Sequence, residues 1–306
     1  MNYLLSIALL LSLACYNRAA AEDQTGRGVR TTHDLKIQGD KRSYNLYRPV
    51  LPKGEKFPLM IVLHGGLGNA KTIEASTGMD AVADSNEFIV AYPEGTGGRI
   101  GKKKDRRTWN AGNCCGPAAK QQVDDVGFIA SMIDDIASKQ PIDLRRVYVT
   151  GMSNGAMMAY RLACEIPQKL AAIIPVSGAL GVDDCSKAKD VPVMHIHGDS
   201  DTHAPFEGGV GEESVTNVAY RSVPETMRMI TAPRGCSGSE TVALSSSIER
   251  TIYHCAYGGP VELLIIKGGG HAWPGGRRRP DQAGDPNAFS ASQAAWNFAK
   301  QFTKKP

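Results

Sequence analysis

The sequence predicts an α/β protein with a mostly parallel central sheet and helices on both faces. Two observations carry that prediction. Largely apolar, aromatic or β-branched runs of strand length recur at 58–63 (PLMIVL), 147–150 (VYVT) and, interrupted only by Glu262, 261–266 (VELLII), as expected of strands covered on both faces. Each is followed by a glycine-bearing turn, and segments with apolar residues at helical spacing lie between them. The 306 residues contain no internal repeat and no second composition regime, so residues 22–306 are expected to form one domain.

The residues before position 22 differ in kind. MNYLLSIALLLSLACYN is an apolar run of signal-peptide length, too short for a membrane span, and Ala19, Ala20 and Ala21 offer a small-residue cleavage site. A signal peptide over 1–21 makes the protein secreted, to the extracellular space or a periplasm, although the run lacks a leading Lys or Arg. Ser12-Leu13-Ala14-Cys15 is a poor relative of a lipoprotein cleavage box, with Ser12 where Leu is expected, so Cys15 reads as part of the discarded run and a lipid anchor there as the lesser alternative. The formal net charge of +4 is too small to imply nucleic acid. Lys102, Lys103, Lys104, Arg106 and Arg107, and the triplet Arg277, Arg278 and Arg279, read as solvated basic loops. Six cysteines remain after Cys15, an even number that fits an oxidising compartment. Cys236 and Cys255 flank a strand-like segment and are the first pair expected; the connectivity of Cys114, Cys115, Cys164 and Cys185 stays open. No C-x-x-C pair suggests zinc.

Taken in order, His33 to Pro49 alternates apolar and polar residues about a turn at Gly39-Asp40-Lys41, an antiparallel edge hairpin. The strand at 58–63 ends in His64-Gly65-Gly66-Leu67-Gly68. Residues 70–86 read as one helix and Phe88 to Tyr92 as the next strand. Pro93 to Lys120 is a long irregular region containing WNAGNCCG, expected to be functional and pinned by its cysteines. Asp124 fits an N-cap for a helix over 125–139, whose Val126, Ile129, Ile133 and Ile136 recur at helical spacing; capping and dipole complementarity explain Asp124 and Asp125. Strands follow at 170–176, 192–196, 251–255 and 261–266, with helices over 223–232 and 291–302.

The chain is organised around residues 145–166, a buried strand, a tight turn and a helix, with Ser153 at the turn inside G-x-S-x-G. Such a reversal strains the serine backbone and crowds strand against helix, so Gly151 and Gly155 stand where side chains cannot fit. The turn aims the Asn154 amide, at the helix N-terminus, towards a developing oxyanion. The loop after strand 58–63 supplies a second amide, Gly66 first and Leu67 next. Beyond strand 192–196 the text reads HGDSD, and Asp201 is better placed than Asp199, because the turn lets the chain leave the strand before presenting the acid. His195, His197 and His203 are residues of metal-ligating type, but further ligands are missing nearby. His271, on a glycine-rich loop directly past a buried strand, is expected to swing over Ser153. The order Ser153, Asp201, His271 is that of the triad in α/β-hydrolases. The expected chemistry is acyl transfer, with Ser153 as nucleophile, His271 as base and Asp201 orienting it. It asks for no metal or organic cofactor.

The strings LHGGLGNA, WNAGNCCG, VDDVGF, VTGMSNGAMMAYRLAC, HIHGDSD and GGGHAWPGG, in this order over most of residues 40–276, resemble the secreted polyhydroxybutyrate depolymerase and feruloyl esterase group, close to acetyl xylan esterases. The resemblance implies a secreted α/β-hydrolase with its triad at Ser153, Asp201 and His271. Its substrates would be feruloyl or acetyl esters of plant polysaccharide, with polyhydroxybutyrate or its oligomers as the alternative. A serine peptidase of prolyl-oligopeptidase type or a non-catalytic carbohydrate-binding protein fits less well, the first because it normally carries a propeller domain that this chain has no room for, the second because it has no use for a triad. The chain departs from the group's HG-x-x-D-x-x-V-P-Y pattern at His203-Ala204-Pro205-Phe206. Trp109, in the long loop, and Trp273, two residues past the proposed base, are the candidates to stack on an aromatic acid or sugar ring.

Overall fold

The structure, a computed structural model, describes residues 28–37, 39–100, 103–276 and 289–304. The expectations for residues 1–21 with Cys15, for Lys102, and for Arg277, Arg278 and Arg279 lie outside the described residues.

The first half of the chain forms β1 (Val29–Ile37), β2 (Asp40–Arg48), β3 (Phe57–Leu63), α1 (Ala70–Thr77), α2 (Met79–Asn86), β4 (Ile89–Pro93), β5 (Thr96–Ile100), β6 (Lys103–Thr108), α3 (Gly116–Lys120) and α4 (Asp125–Lys139). The second forms β7 (Ile142–Met152), α5 (Asn154–Glu165), β8 (Ala172–Val176), β9 (Val193–Gly198), α6 (Val223–Thr231), β10 (Cys236–Ser245), β11 (Ile248–Cys255), β12 (Val261–Ile266) and α7 (Ala291–Ala299). Ten strands make one sheet in the order β1-β2-β4-β3-β7-β8-β9-β12-β11-β10. The inner strands from β4 to β12 run parallel, and an antiparallel pair closes each edge.

Strand β3 explains why the sheet is covered twice. Successive side chains point to opposite faces, and all of them are apolar. Leu59, Ile61 and Leu63 enter a core shared with α4, α5 and α6; Met60 and Val62 enter a second core shared with α1, α2 and α7. The parallel strands therefore deliver their carboxyl ends to one edge with helices on both sides, the expected α/β-hydrolase plan.

Several boundaries differ from the sequence reading, each for a physical reason. The single helix over 70–86 is two, because Gly78 takes φ 66° and caps α1 in the left-handed region that ends helices. The irregular stretch 93–120 contains the β5–β6 hairpin and the short α3. Strand β10 went unread because it is an edge strand exposed along most of its length, with no buried face to impose alternation. Cys236 and Cys255 pair across β10 and β11 as expected, and Cys164 pairs with Cys185. Cys114 bonds its neighbour Cys115, so these cysteines do not pin the WNAGNCCG loop to the body. Hydrogen bonds do that instead, described below.

Candidate active site

The elbow is built by close approach. A Cβ on Gly155 would lie 2.4 Å from the Leu63 carbonyl oxygen, and one on Gly151 would lie 2.7 Å from the Gly155 carbonyl carbon. Strand β3, strand β7 and helix α5 touch here, which is why only glycine serves at both positions. Ser153 sits between them at φ 57° and ψ −121°, a region costly for a residue with a side chain. Its amide donates to the Val176 carbonyl at 2.8 Å, tying the turn to the end of β8.

The next residue after β8, Ser177, donates its hydroxyl to the Ala272 carbonyl at 3.4 Å. Two hydrogen bonds thus run from Ser153 to the neighbour of His271, so the loop after β12 lies beside the elbow. His271 meets Asp201: Nδ1 is 2.8 Å from Oδ2. A carboxylate can only accept, so Nδ1 carries the proton and donates, leaving Nε2 with the lone pair. The other carboxylate oxygen of Asp201 accepts from the amides of His203, at 2.9 Å, and Ala204, at 2.8 Å. Burial opposes charge on Asp201, but the hydrogen bond and charge of His271, with His197 and the Ala204 amide, hold its carboxyl below the usual range.

Asp199 does a different job. Its carboxylate accepts from the Gly268 amide at 2.7 Å, and Ser200 donates its amide to the Gly269 carbonyl at 3.0 Å, so the turn after β9 is zipped to the loop that carries His271. His203, where the chain departs from the group's pattern, stacks on His271 with ring centroids 4.8 Å apart and planes 12° apart, and its Nδ1 lies 3.3 Å from Glu213. No local sequence signal marks that contact. His195 and His197 spend their ring nitrogens on protein partners, His195 on Tyr160 and His197, His197 on His195 and Ala204.

Of the two expected oxyanion donors from the β3 loop, Gly66 packs against the elbow; a Cβ there would lie 3.7 Å from that of Asn154. Leu67 is corrected: its amide donates to the Arg107 carbonyl at 2.8 Å and is spent on holding β6. Asn154 is itself fixed, since its side chain accepts from the Trp109 amide at 2.7 Å and donates to the Trp109 carbonyl at 3.1 Å. Beneath it, His64 donates from Nδ1 to the Gly65 carbonyl at 2.8 Å and accepts the Gly95 amide on Nε2 at 3.0 Å. Burial, with the charges of Arg107 and Arg42, pushes His64 down to about 4 against the Gly65 bond.

Both tryptophans expected to touch substrate are corrected. Trp109 is 0% exposed, and its indole N–H donates to the His64 carbonyl at 2.9 Å. Trp273 is 6% exposed, and its N–H donates to Ser292, which in turn donates to the Thr77 carbonyl. Burial leaves Trp109 no surface for a ligand and Trp273 very little. Asp125 does more than complement the helix dipole. Beyond the Asp124 cap, which accepts from the Gly127 amide at 2.8 Å, the fully buried Asp125 accepts from Arg42 and from the Asn110 amide, both at 2.7 Å. It joins the edge hairpin, the WNAGNCCG loop and α4.

Comparisons with known proteins agree with this plan. A family model described as "Esterase PHB depolymerase" matches residues 42–230. The chain is 30% identical to "Putative esterase NocK" of Nocardia uniformis subsp. tsuyamanensis over 277 residues, 80% of this chain and 74% of that protein. It is 26% identical to "Feruloyl esterase B" of Piromyces equi over 252 residues, spanning 80% of this chain but only 42% of the relative. Among solved structures, an acetyl xylan esterase from Aspergillus awamori superposes with a TM-score of 0.55 at 17% identity, covering 80% of this chain and 95% of that one. At that identity the likeness shows the fold.

Proposed function

Since this chain belongs to the esterase PHB depolymerase family and is a carboxylic-ester hydrolase, we propose that it works through an acyl-enzyme, with Ser153 as nucleophile, His271 as base and Asp201 as the acid that orients it. The observation that carries this reading is the 2.8 Å contact between His271 Nδ1 and Asp201 on a loop fastened beside the strained Ser153 turn. With Nδ1–H held by Asp201, Nε2 takes the Ser153 proton as Oγ attacks the ester carbonyl, and later gives it to the leaving alcohol. Water repeats the sequence on the acyl-enzyme and releases the acid. The oxyanion rests on the amides of Asn154 and Gly66, each contributing about 3 kcal/mol in comparable sites.

The substrate reading is a feruloyl or acetyl ester of plant polysaccharide, supported by the likeness to a relative named feruloyl esterase B. A hydroxyalkanoate ester is the second reading, favoured by the description of the family. With Trp109 and Trp273 committed to packing, no residue-level reason remains to prefer an aromatic acyl group. Secretion is part of the proposal; three cystine pairs and the apolar run before position 22 support it. Among the described residues no helix is long and apolar enough to cross a membrane.

Two measurements test the proposal. A fluorophosphonate probe should label native protein at Ser153 alone; absence of labelling would remove the nucleophile assignment. Turnover is then compared on methyl ferulate, acetylated xylan, hydroxybutyrate oligomers, p-nitrophenyl acetate and a peptide amide. Hydrolysis confined to hydroxybutyrate oligomers would replace the polysaccharide reading with the second one.

A further inference from the structure

Behind the acid lies a buried polar chain that the acyl-transfer scheme does not use. Tyr160 Oη is 2.7 Å from His195 Nδ1; His195 Nε2 is 3.0 Å from His197 Nδ1; His197 Nε2 is 2.8 Å from the Ala204 carbonyl oxygen. All three side chains are at most 1% exposed. The His195 and His197 rings are nearly parallel, with centroids 5.2 Å apart and planes 8° apart, and Phe206 stands at 80° to His197.

The chain has one direction. A carbonyl oxygen only accepts, so His197 donates from Nε2. In the neutral ring Nδ1 is then an acceptor and takes the N–H of His195 Nε2, whose own Nδ1 takes the hydroxyl proton of Tyr160. Every polar atom is used, and the two imidazoles share one tautomer. Burial keeps both rings neutral, against the pull of Asp201 on His197. The charged and titratable groups around the chain are Asp201 and His271 beyond its Ala204 end, and Arg234 and Tyr253 beyond its Tyr160 end.

We propose that Tyr160, His195 and His197 are positioning residues that brace the turn 201–204 against helix α5 and so set the aim of Asp201 at His271. Tyr160 belongs to the helix that begins at Asn154, directly after Ser153, and both histidines stand on one face of β9, two residues apart. The chain therefore connects the nucleophile's helix to the acid's turn through the interior. By holding the Ala204 carbonyl it fixes the peptide unit that follows the two amides gripping Asp201, and His197 Nε2 lies 3.5 Å from the carboxylate oxygen that faces His271. A buried network with every member satisfied specifies one arrangement, which apolar packing at the same sites would not. The proposal rests on the reading of Asp201 as the orienting acid and His271 as the base.

The test compares two amides at position 197. In His197→Gln the side-chain N–H reaches the place of Nε2 and can donate to Ala204; in His197→Asn it stops at the place of Nδ1 and cannot. On p-nitrophenyl acetate, His197→Asn should lose up to about 100-fold in kcat, the scale of a small misplacement of a catalytic group, with KM within about twofold of native. His197→Gln should recover most of that loss. Tyr160→Phe, which deletes one hydroxyl at the far end, should lower kcat less than His197→Asn and leave KM in place. Native-like kcat in a folded His197→Asn, or equal losses in the Gln and Asn variants, overturns the proposal. Asp201→Asn and probe labelling of native protein are run beside them. If Asp201→Asn keeps full turnover, the triad reading and this proposal fall together. If Asp201→Asn is impaired while both position-197 variants turn over normally, only the bracing role is lost. If His197→Asn does not fold, Tyr160→Phe measured against His197→Gln decides, and native kcat in both overturns it.

Discussion

Asp199 and Asp201 stand two residues apart on one turn, and their partners separate their work. Asp201 accepts from His271, while Asp199 accepts from the backbone of Gly268. Replacing Asp201 by Asn should lower kcat by about 10⁴-fold, the scale seen when the orienting acid of such a triad loses its charge. Asp199→Ala should keep most of its turnover, because the Ser200–Gly269 bond still fastens the same loop. Steady-state kinetics on p-nitrophenyl acetate decides, and the opposite ranking would reassign the acid. The tryptophans belong to the same scale. Trp109→Phe keeps an aromatic side chain, though a smaller one, and strands the buried His64 carbonyl, at about 1–3 kcal/mol of stability or more. Because the indole has no open face, the ratio of KM for methyl ferulate to KM for p-nitrophenyl acetate should not move. A selective rise in KM for the ferulate would return Trp109 to the substrate pocket.

At the scale of elements, the elbow makes the sharpest demand. An alanine at 155 places its Cβ against backbone oxygens that cannot rotate away, so Gly155→Ala should cost about 3 kcal/mol or more, at or beyond the top of the usual range for overpacking. Gly270→Ala meets nothing within 4 Å and should stay within about 0.5 kcal/mol of native. Urea denaturation of the two variants is the comparison, and equal stabilities would mean that the strand–helix approach is looser than these distances. The same geometry explains what could be read beforehand. The glycines flanking Ser153, the buried run of β3 and the HGDSD turn are local requirements, each visible within a few residues of text. The role of Trp109 is not local: a tryptophan in a glycine-rich loop reads alike whether it lines a cleft or plugs a core. The partners that decide it, Asn154 and His64, are each 45 residues away. The Arg42–Asp125 pair, 83 residues apart, escaped for the same reason, and β10 escaped because an exposed edge imposes no pattern.

Across the whole molecule, three neutral histidines lie in the cores and loops that join β3, β9 and α5, and they give the fold a dependence on acidity separate from the chemistry. His64 is held at about 4 when folded and returns to 6.5 in the unfolded chain; burial lowers His195 and His197 in the same sense. A histidine whose folded value is depressed takes up its proton on unfolding. Its contribution is therefore complete above 6.5 and is lost as pH falls towards the folded value. His64 should approach a slope of about 1.4 kcal/mol per pH unit between 6.5 and its folded value, and His195 and His197 add to it in the same sense. Carboxylates act elsewhere. Asp201, held below 3.8, loses its contribution only at lower pH, while Asp80, Glu94 and Asp125, raised by burial against their arginine partners, gain on acidification just above their unfolded values. The window from pH 6.5 to 5.5 is the cleanest place to see the histidines. Urea unfolding there should show stability falling with pH, and His64→Gln, which cannot titrate, should lose about one proton's share of that slope whatever its stability at pH 7. Equal slopes for the two proteins would mean that His64 is protonated in the folded state, and its acceptance of the Gly95 amide on Nε2 would then have to be abandoned.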